Sequence, residues 1–219
     1  MTGEQGKTMT KRRYDPDASR LDILDAAEEL FAEKGYGEVS TAAIAKAAKV
    51  SQSQIHYHFE TKRNLWEHVF QRLFEEYFSV QSEVLDNTEQ SGLDRMEASI
   101  RAYFSFFQVN PRFIKLMARA HLETGLGHTQ QSGQLFSKGA EVVARSQEAG
   151  TIRNDVPPEF VVVGFLSMVS QWFQMRSKHL PPQADYGKLS DDAYLDFILK
   201  VYLQGITPPQ ESGSDALNV

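Results

Sequence analysis

The stretch that decides the fold is residues 20–70, RLDILDAAEELFAEKGYGEVSTAAIAKAAKVSQSQIHYHFETKRNLWEHVF. From Ser19 to Lys34 its apolar residues recur at three- and four-residue steps, which is the period of an amphipathic helix. These apolar residues are Ile23, Leu24, Ala27, Leu30 and Phe31. Gly35 and Gly37 then favour an end to the helix, because glycine adopts the backbone conformation of a helix C-terminus.

Two short helices with their own start signals follow. Ser40 can cap a helix over residues 41–48, because a serine oxygen accepts from the first free backbone N–H groups. Ser51 can cap the next helix, and Gln54 stands where a capping box needs an amide or carboxylate. Two capped short helices joined by a three- or four-residue turn predict a helix-turn-helix.

The rest of the chain also has helical periodicity. A fourth helix is predicted from about Thr61 to Asp86, long enough to join two domains. We find no strand-length alternation and no internal repeat, so the expected fold is all-α with about nine helices. The expected organisation is a flexible basic arm over 1–14, a helix-turn-helix domain over 15–62, a second helical domain over 63–206, and a disordered tail over 207–219.

The composition excludes several classes of chemistry. The chain has 219 residues, is 41% hydrophobic and contains no cysteine. Disulfides, thiolate nucleophiles and cysteine-based zinc sites are therefore excluded, and a reducing cytoplasm is the expected location. The longest apolar run, 160–173, is shorter than the roughly 20 residues that a membrane span needs, so we expect no membrane association.

The charge is unevenly distributed along the chain. The formal net charge is -6, yet segments 1–14 and 40–63 each carry more basic than acidic residues. The segment between them, 15–39, is strongly acidic. Two positive segments around a helix-turn-helix favour nucleic-acid binding, although an ordinary solvated surface remains an alternative explanation.

Segment 19–70 resembles the N-terminal domain of the TetR/AcrR family of transcriptional regulators. The residues that carry the resemblance are Ile23-Leu24, Ala26-Ala27, Leu30-Phe31, Gly35-Tyr36, Ile44-Ala45, Ala48, Val50-Ser51, Ile55, Tyr57-His58-Phe59, Lys62 and Leu65. Beyond this segment the likeness is one of layout and helix count. The resemblance implies a DNA-binding regulator, and most members of the family are repressors.

The resemblance makes residues 52–58 the recognition helix in the major groove. Amide side chains at Gln52 and Gln54 can read adenine, and Ser53 is small enough for a close approach. His56 stands where the family usually has an aromatic residue. By the resemblance, phosphate contacts come from Thr41, Tyr57, His58 and Lys62. The predicted DNA-contacting set is Ser40, Thr41, Gln52, Ser53, Gln54, His56, Tyr57, His58 and Lys62.

The second half of the chain carries aromatic and methionine residues on its helical stripes. These can line an apolar cavity between helices, or they can be packed core. The predicted ligand-contacting set is Phe104, Phe107, Met117, His121, Met168, Trp172 and Met175. Since the family binds effectors in this domain, we expect a small apolar or aromatic effector.

The last two predicted helices are apolar on more than one face. One face can pack on the bundle, and the other needs a further partner. We therefore expect a homodimer through these helices, which would place two recognition helices about 34 to 36 Å apart on a palindromic operator.

Other features of the sequence suggest two alternative functions. A metal-dependent hydrolase would start from His56 and His58 with His121 or His128, but residues two apart on a helix point away from each other. There is no glycine-rich phosphate loop either, so we expect no enzyme activity, metal or cofactor. A helical scaffold that binds only proteins remains the alternative function.

Overall fold

The computed structural model describes residues 16–122, 130–176 and 189–209. These residues form nine α-helices and no strand, so the expectation of an all-α chain is confirmed. The helices are α1 (Pro16–Lys34), α2 (Thr41–Ala48), α3 (Gln52–Phe59), α4 (Lys62–Asp86), α5 (Gly92–Val109), α6 (Pro111–Leu122), α7 (Gln130–Glu148), α8 (Pro158–Met175) and α9 (Asp191–Ile206). The expected basic arm (1–14) and most of the expected tail (207–219) lie outside the described residues.

The chain divides into two compact units, Met1–Trp66 and Glu67–Val219. In the first unit α1 packs on α2 and α3, and α2 packs on α3. Trp66 is fully buried there, with its ring 5.0 Å from that of Phe31 and 5.5 Å from that of Tyr36. The first turn of α4 therefore belongs to the core of this unit.

The start signals of α2 and α3 are present as expected. Ser40 accepts from the backbone N–H of Ala43 at 3.1 Å. Ser51 forms a complete capping box with Gln54, whose side-chain oxygen accepts from the Ser51 N–H at 2.9 Å. Because each cap satisfies N–H groups that have no partner within the helix, both helices begin at defined residues.

In the second unit α5 packs against α6, α7, α8 and α9, and α8 packs against α6, α7 and α9. Its core is rich in aromatic rings, including Tyr103, Phe106, Phe107 and Phe165. Polar contacts join α8 to α9: the indole of Trp172 donates to Asp191 at 2.9 Å. The Tyr202 hydroxyl donates to the Val161 carbonyl in the same interface.

Within the described residues, no helix combines the length and the apolar character that a membrane crossing requires.

Candidate functional site

Helix α3 has one buried face and one exposed face. Ile55 and Phe59, four residues apart, are each 2% exposed and anchor the helix in the first unit. Gln52, Ser53, His56 and Tyr57 lie on the opposite face and are exposed. A short helix that is fixed on one side and polar on the other can enter a DNA groove without disturbing the core.

The two glutamines of α3 are in different situations. Gln52 is exposed, and its amide nitrogen donates to the hydroxyl of Thr41 on α2 at 3.1 Å. Gln54 is half-buried, and its oxygen accepts from Ser51 within the capping box. The predicted base contact by Gln54 would therefore compete with the cap, whereas Gln52 keeps its amide oxygen for a base.

The ring residues of α3 differ in exposure. Tyr57 is 76% exposed, which is unusual for a large aromatic side chain and leaves its hydroxyl available to a partner. His56 is exposed as well. His58 is half-buried, and its ring packs edge-on against that of Tyr57, with the ring centres 5.1 Å apart. Its Nε2 atom is buried and has no hydrogen-bond partner. Among the predicted phosphate ligands, His58 is therefore less exposed than Tyr57.

Lys62, a predicted phosphate contact, is half-buried. Its ammonium group donates to the carbonyls of Tyr36 at 2.7 Å and Val39 at 2.8 Å, and lies 4.1 Å from the centre of the Tyr36 ring. A lysine ammonium has three donors, so one remains for a phosphate oxygen. Exposed positive charge in this unit also comes from Lys46 and Lys49.

The second unit contains a cavity of about 470 Å³. Its walls are apolar side chains from α4, α5, α6, α7 and α8, among them Phe74, Phe113, Phe136 and Phe165. This volume is within the range of pockets that hold drug-sized ligands. The cavity is therefore a candidate binding site for a small molecule with a largely apolar body.

Several polar groups interrupt these apolar walls. Gln81 is 4% exposed and its side-chain oxygen has no hydrogen-bond partner, and the Nε of Arg95 is likewise buried without one. Tyr77 and Tyr103 also line the cavity, and burial raises the pKa of both hydroxyls. Both tyrosines therefore stay neutral at physiological pH and can act as donors.

Most of the predicted ligand-contacting residues lie away from this cavity. Met117 lines it. Phe104 and Phe107 are fully buried against Phe173, with ring centres 4.8 and 5.5 Å from its ring. Trp172 stacks on Tyr194 at 4.1 Å.

The other predicted members are not placed in the cavity walls either. Met175 is 40% exposed, Met168 is half-buried outside those walls, and the side chain of His121 lies outside the described residues. An aromatic stripe cannot by itself distinguish a packed core from a cavity wall, which explains the difference.

Gln81 and Arg95 are not among the residues that the sequence predicted to contact a ligand. Gln81 follows Tyr77 by four residues on α4, so it is a polar residue at a position where the stripe predicts an apolar one. That break in the apolar stripe was a signal that could have found Gln81. Arg95 is followed four residues later on α5 by Ser99, which is also polar, so no apolar stripe marks its position.

The outer faces of α8 and α9 expose large apolar side chains. Phe160 and Val163 on α8 are 70% and 45% exposed, and Phe197 and Val201 on α9 are 50% and 48% exposed. The two helices pack on each other, with Gly164 against the ring of Tyr202. Apolar groups exposed on adjacent helices are typical of a surface that another molecule covers.

Comparison with known protein families gives two matches along the chain. Residues 23–69 match the family described as "Bacterial regulatory proteins, tetR family". Residues 98–192 match the family described as "Tetracyclin repressor-like, C-terminal domain". The first match covers α2 and α3 with their caps, and the second covers most of the second unit.

Individual proteins are similar over part or most of the chain. The nucleoid occlusion factor SlmA of Aliivibrio fischeri is 30% identical over 99 residues, which are 45% of this chain and 50% of SlmA. The chain thus matches about half the length of that relative. The HTH-type transcriptional repressor NicS of Pseudomonas putida is 23% identical over 155 residues, 66% of this chain and 71% of NicS.

A solved structure extends the likeness of fold. A TetR-like transcriptional regulator from Rhodococcus sp. RHA1 superposes with a TM-score of 0.65 and 18% identity, covering 88% of this chain and 98% of the other. At that identity the similarity concerns the fold alone.

Proposed function

Because the chain belongs to the TetR family of bacterial transcriptional regulators, we propose that it is a repressor that binds a palindromic operator as a homodimer and releases it when a small molecule enters its cavity. The observation that carries the proposal is the polar, exposed face of the doubly capped helix-turn-helix. The cavity of about 470 Å³ supports the effector.

The contacts with DNA would divide into two classes. Gln52, Ser53 and His56 on the exposed face of α3 would read base edges in the major groove. The DNA backbone would be contacted by Thr41, Tyr57 and Lys62. Ser40 and the half-buried Gln54 and His58 would contact it as well or support the residues that do. Phosphate contacts fix the register of the helix, and base contacts determine the sequence that is bound.

Repression is the proposed direction of regulation. NicS, which aligns with two thirds of this chain, is named as a transcriptional repressor. A dimer bound across an operator would repress by occupying it, and an effector that prefers a different conformer would lower the operator affinity.

Helix α4 is the proposed connection between effector and operator. Its residues from Phe70 to Leu85 line the cavity, and the same helix begins at Lys62 beside the helix-turn-helix. A ligand that changes the position of this wall would act on a helix shared by both units. The coupling would need about 1 to 3 kcal/mol, which corresponds to a 5- to 150-fold change in affinity.

The experiment that tests the proposal is selection of bound duplexes from a random library with the full-length protein. We expect enrichment of an inverted repeat whose half-site centres are one helical turn apart or a multiple of it. Binding of random and selected duplexes with equal affinity at the same salt concentration would contradict the proposal and would favour a protein-binding scaffold.

A further inference from the structure

We propose that the effector of this protein is a monocarboxylate with an apolar body, held through Arg95 and Gln81 at one end of the cavity in the second unit. This inference rests on the proposed function, which supplies the effector role, and it adds the chemical class of the head group. It depends on the position, burial and charge of these two side chains.

The charge of the cavity favours an anion. Among the described residues that line it, Arg95 is the one charged side chain, and it faces aromatic and aliphatic walls. An arginine remains protonated at any physiological pH. Its Nε is buried and makes no hydrogen bond with the protein, so this donor is available to an acceptor on a ligand.

Gln81 is inferred to lie at the same end of the cavity as Arg95. The loop between α4 and α5 is short, so the two helices run antiparallel, and the rings of Tyr77 and Tyr103 meet at 5.3 Å. Gln81 lies one turn, about 6 Å, from Tyr77 towards that loop, and Arg95 lies two turns from Tyr103 in the same direction. Both side chains are therefore at the loop end of the cavity.

The hydrogen-bonding groups of a carboxylate suit these two side chains. A carboxylate can accept from the Nε and one terminal nitrogen of a guanidinium through two parallel hydrogen bonds. The Gln81 amide, which is 4% exposed and lacks a partner for its oxygen, can turn over and donate its NH₂ to a carboxylate oxygen. A second charged group on the ligand would meet no further described cation in these walls.

The opposite end of the cavity accounts for the apolar body. Phe70 and Phe74 on α4 and Phe113 and Met117 on α6 line this end. The rings of Phe70 and Phe113 are 5.7 Å apart. A ligand that places an acid group at Arg95 would therefore extend an aliphatic or aromatic body between these side chains.

The test compares each acid with its neutral amide on the full-length protein by calorimetry at about pH 7.5, where a carboxylic acid is ionised. The probes are decanoate with decanamide and naphthylacetate with naphthylacetamide. We expect at least one acid to bind about tenfold or more tightly than its amide, since charge-assisted hydrogen bonds are roughly twice as strong as neutral ones. Equal affinities for acid and amide in both pairs, or no binding of either acid, would overturn the proposal.

Variants assign the preference to the proposed residues. Arg95→Met should bring the ratio of acid to amide affinity close to one, and Arg95→Lys should keep part of the preference because it keeps the charge. Arg101→Met is the matched control, because Arg101 is on the same helix, exposed and paired with Glu97. Binding of the amide, together with an unchanged helical circular dichroism spectrum, verifies that each variant is folded. An acid preference that survives in Arg95→Met would overturn the assignment.

Operator binding separates this inference from the proposed function. An acid that binds through Arg95 but leaves operator affinity unchanged supports the assigned head group and contradicts the effector role. A neutral probe that binds as tightly as its acid and releases the operator overturns the head group and supports the effector role.

Discussion

Lys62 has a structural role in addition to the phosphate contact that we propose for it. Its ammonium donates to the carbonyls of Tyr36 and Val39, so it fixes the loop between α1 and α2 to the start of α4. We expect Lys62→Met to lower the free energy of unfolding by about 2 kcal/mol, because two charge-assisted hydrogen bonds and a cation–π contact are lost. Thermal and urea denaturation measure this change.

The control for this variant is Lys46→Met, which removes an exposed lysine from α2. Its effect on stability should stay within about 0.5 kcal/mol, as for most surface substitutions. Both variants should weaken operator and random DNA alike if each lysine contacts a phosphate. A Lys62→Met protein as stable as Lys46→Met would mean that the two carbonyl contacts contribute nothing measurable.

Gln52 is the residue for which we expect an effect on specificity without one on stability. It is exposed, and its one hydrogen bond to a side chain in the described residues is to Thr41 at 3.1 Å. Gln52→Ala should cost about 1 to 3 kcal/mol for each lost bidentate base contact and relax the preference at one position in each half-site. Competition between operator variants that differ by one base pair measures this, and a uniform loss at every position would contradict the assigned contact.

At the scale of elements, the turn between α3 and α4 contains a strained residue. Glu60 has φ 59° and ψ -55°, and the N–H of Thr61 donates to the carbonyl of Phe59 across it. This is a γ-turn of the form that residues with a Cβ rarely adopt. Glu60→Gly should raise the free energy of unfolding by about 0.5 to 1 kcal/mol in denaturant titrations. Glu60→Ala keeps the Cβ, so an equal gain in both variants would assign the effect to the lost carboxylate.

The start of α5 is in close contact with the end of α7. A Cβ added at Gly92 would lie 2.4 Å from the Oγ and 2.5 Å from the Cβ of Ser146, and Ser146 is 3% exposed. Gly92→Ala should therefore lower the melting temperature, by an amount equivalent to about 1 to 3 kcal/mol of overpacking. Gly133→Ala on α7 is the matched control, because a Cβ there meets nothing within 4 Å and should stabilise the helix slightly. Equal shifts in the two variants would contradict the close packing at Gly92.

The boundaries of helices could be predicted where a side chain determines them. Ser40 and Ser51 cap α2 and α3, so these helices start at the residues that the sequence indicates. Helix α1 begins at Pro16, three residues before the predicted start, because proline is compatible with the first turn of a helix. The partners of Lys62 could not be predicted, because the carbonyls that it contacts lie 26 and 23 residues earlier in the chain.

At the scale of the whole molecule, the sequence predicted the class of fold and the existence of an apolar second unit, but it did not predict where the cavity lies. Phe107 and Phe113 are similar residues on neighbouring helices, yet Phe107 is packed in the core and Phe113 lines the cavity. The difference arises from how five helices pack, and no periodicity within one helix contains that information. The exposed side chains of α3 were more predictable, because one short helix has a clear inner and outer face.

The apolar outer faces of α8 and α9 lead to a prediction about assembly. If two copies pair through these faces, Phe197, which is 50% exposed in the single chain, becomes buried in the dimer. Phe197→Glu should then produce a monomer by light scattering at micromolar concentration, because an unpaired carboxylate is costly to bury. Operator affinity should fall with it, since a monomer binds one half-site at a time and loses the effective concentration of the second recognition helix.

Val109→Glu provides the matched control for this variant. Val109 is 71% exposed at the end of α5, so the substitution adds the same charge to the second unit away from α8 and α9. It should leave both the dimer and the operator affinity unchanged. The two variants together distinguish loss of an interface from a general effect of negative charge near DNA. A Phe197→Glu protein that remains dimeric and binds the operator as tightly as Val109→Glu would place the dimer interface on another face of the molecule.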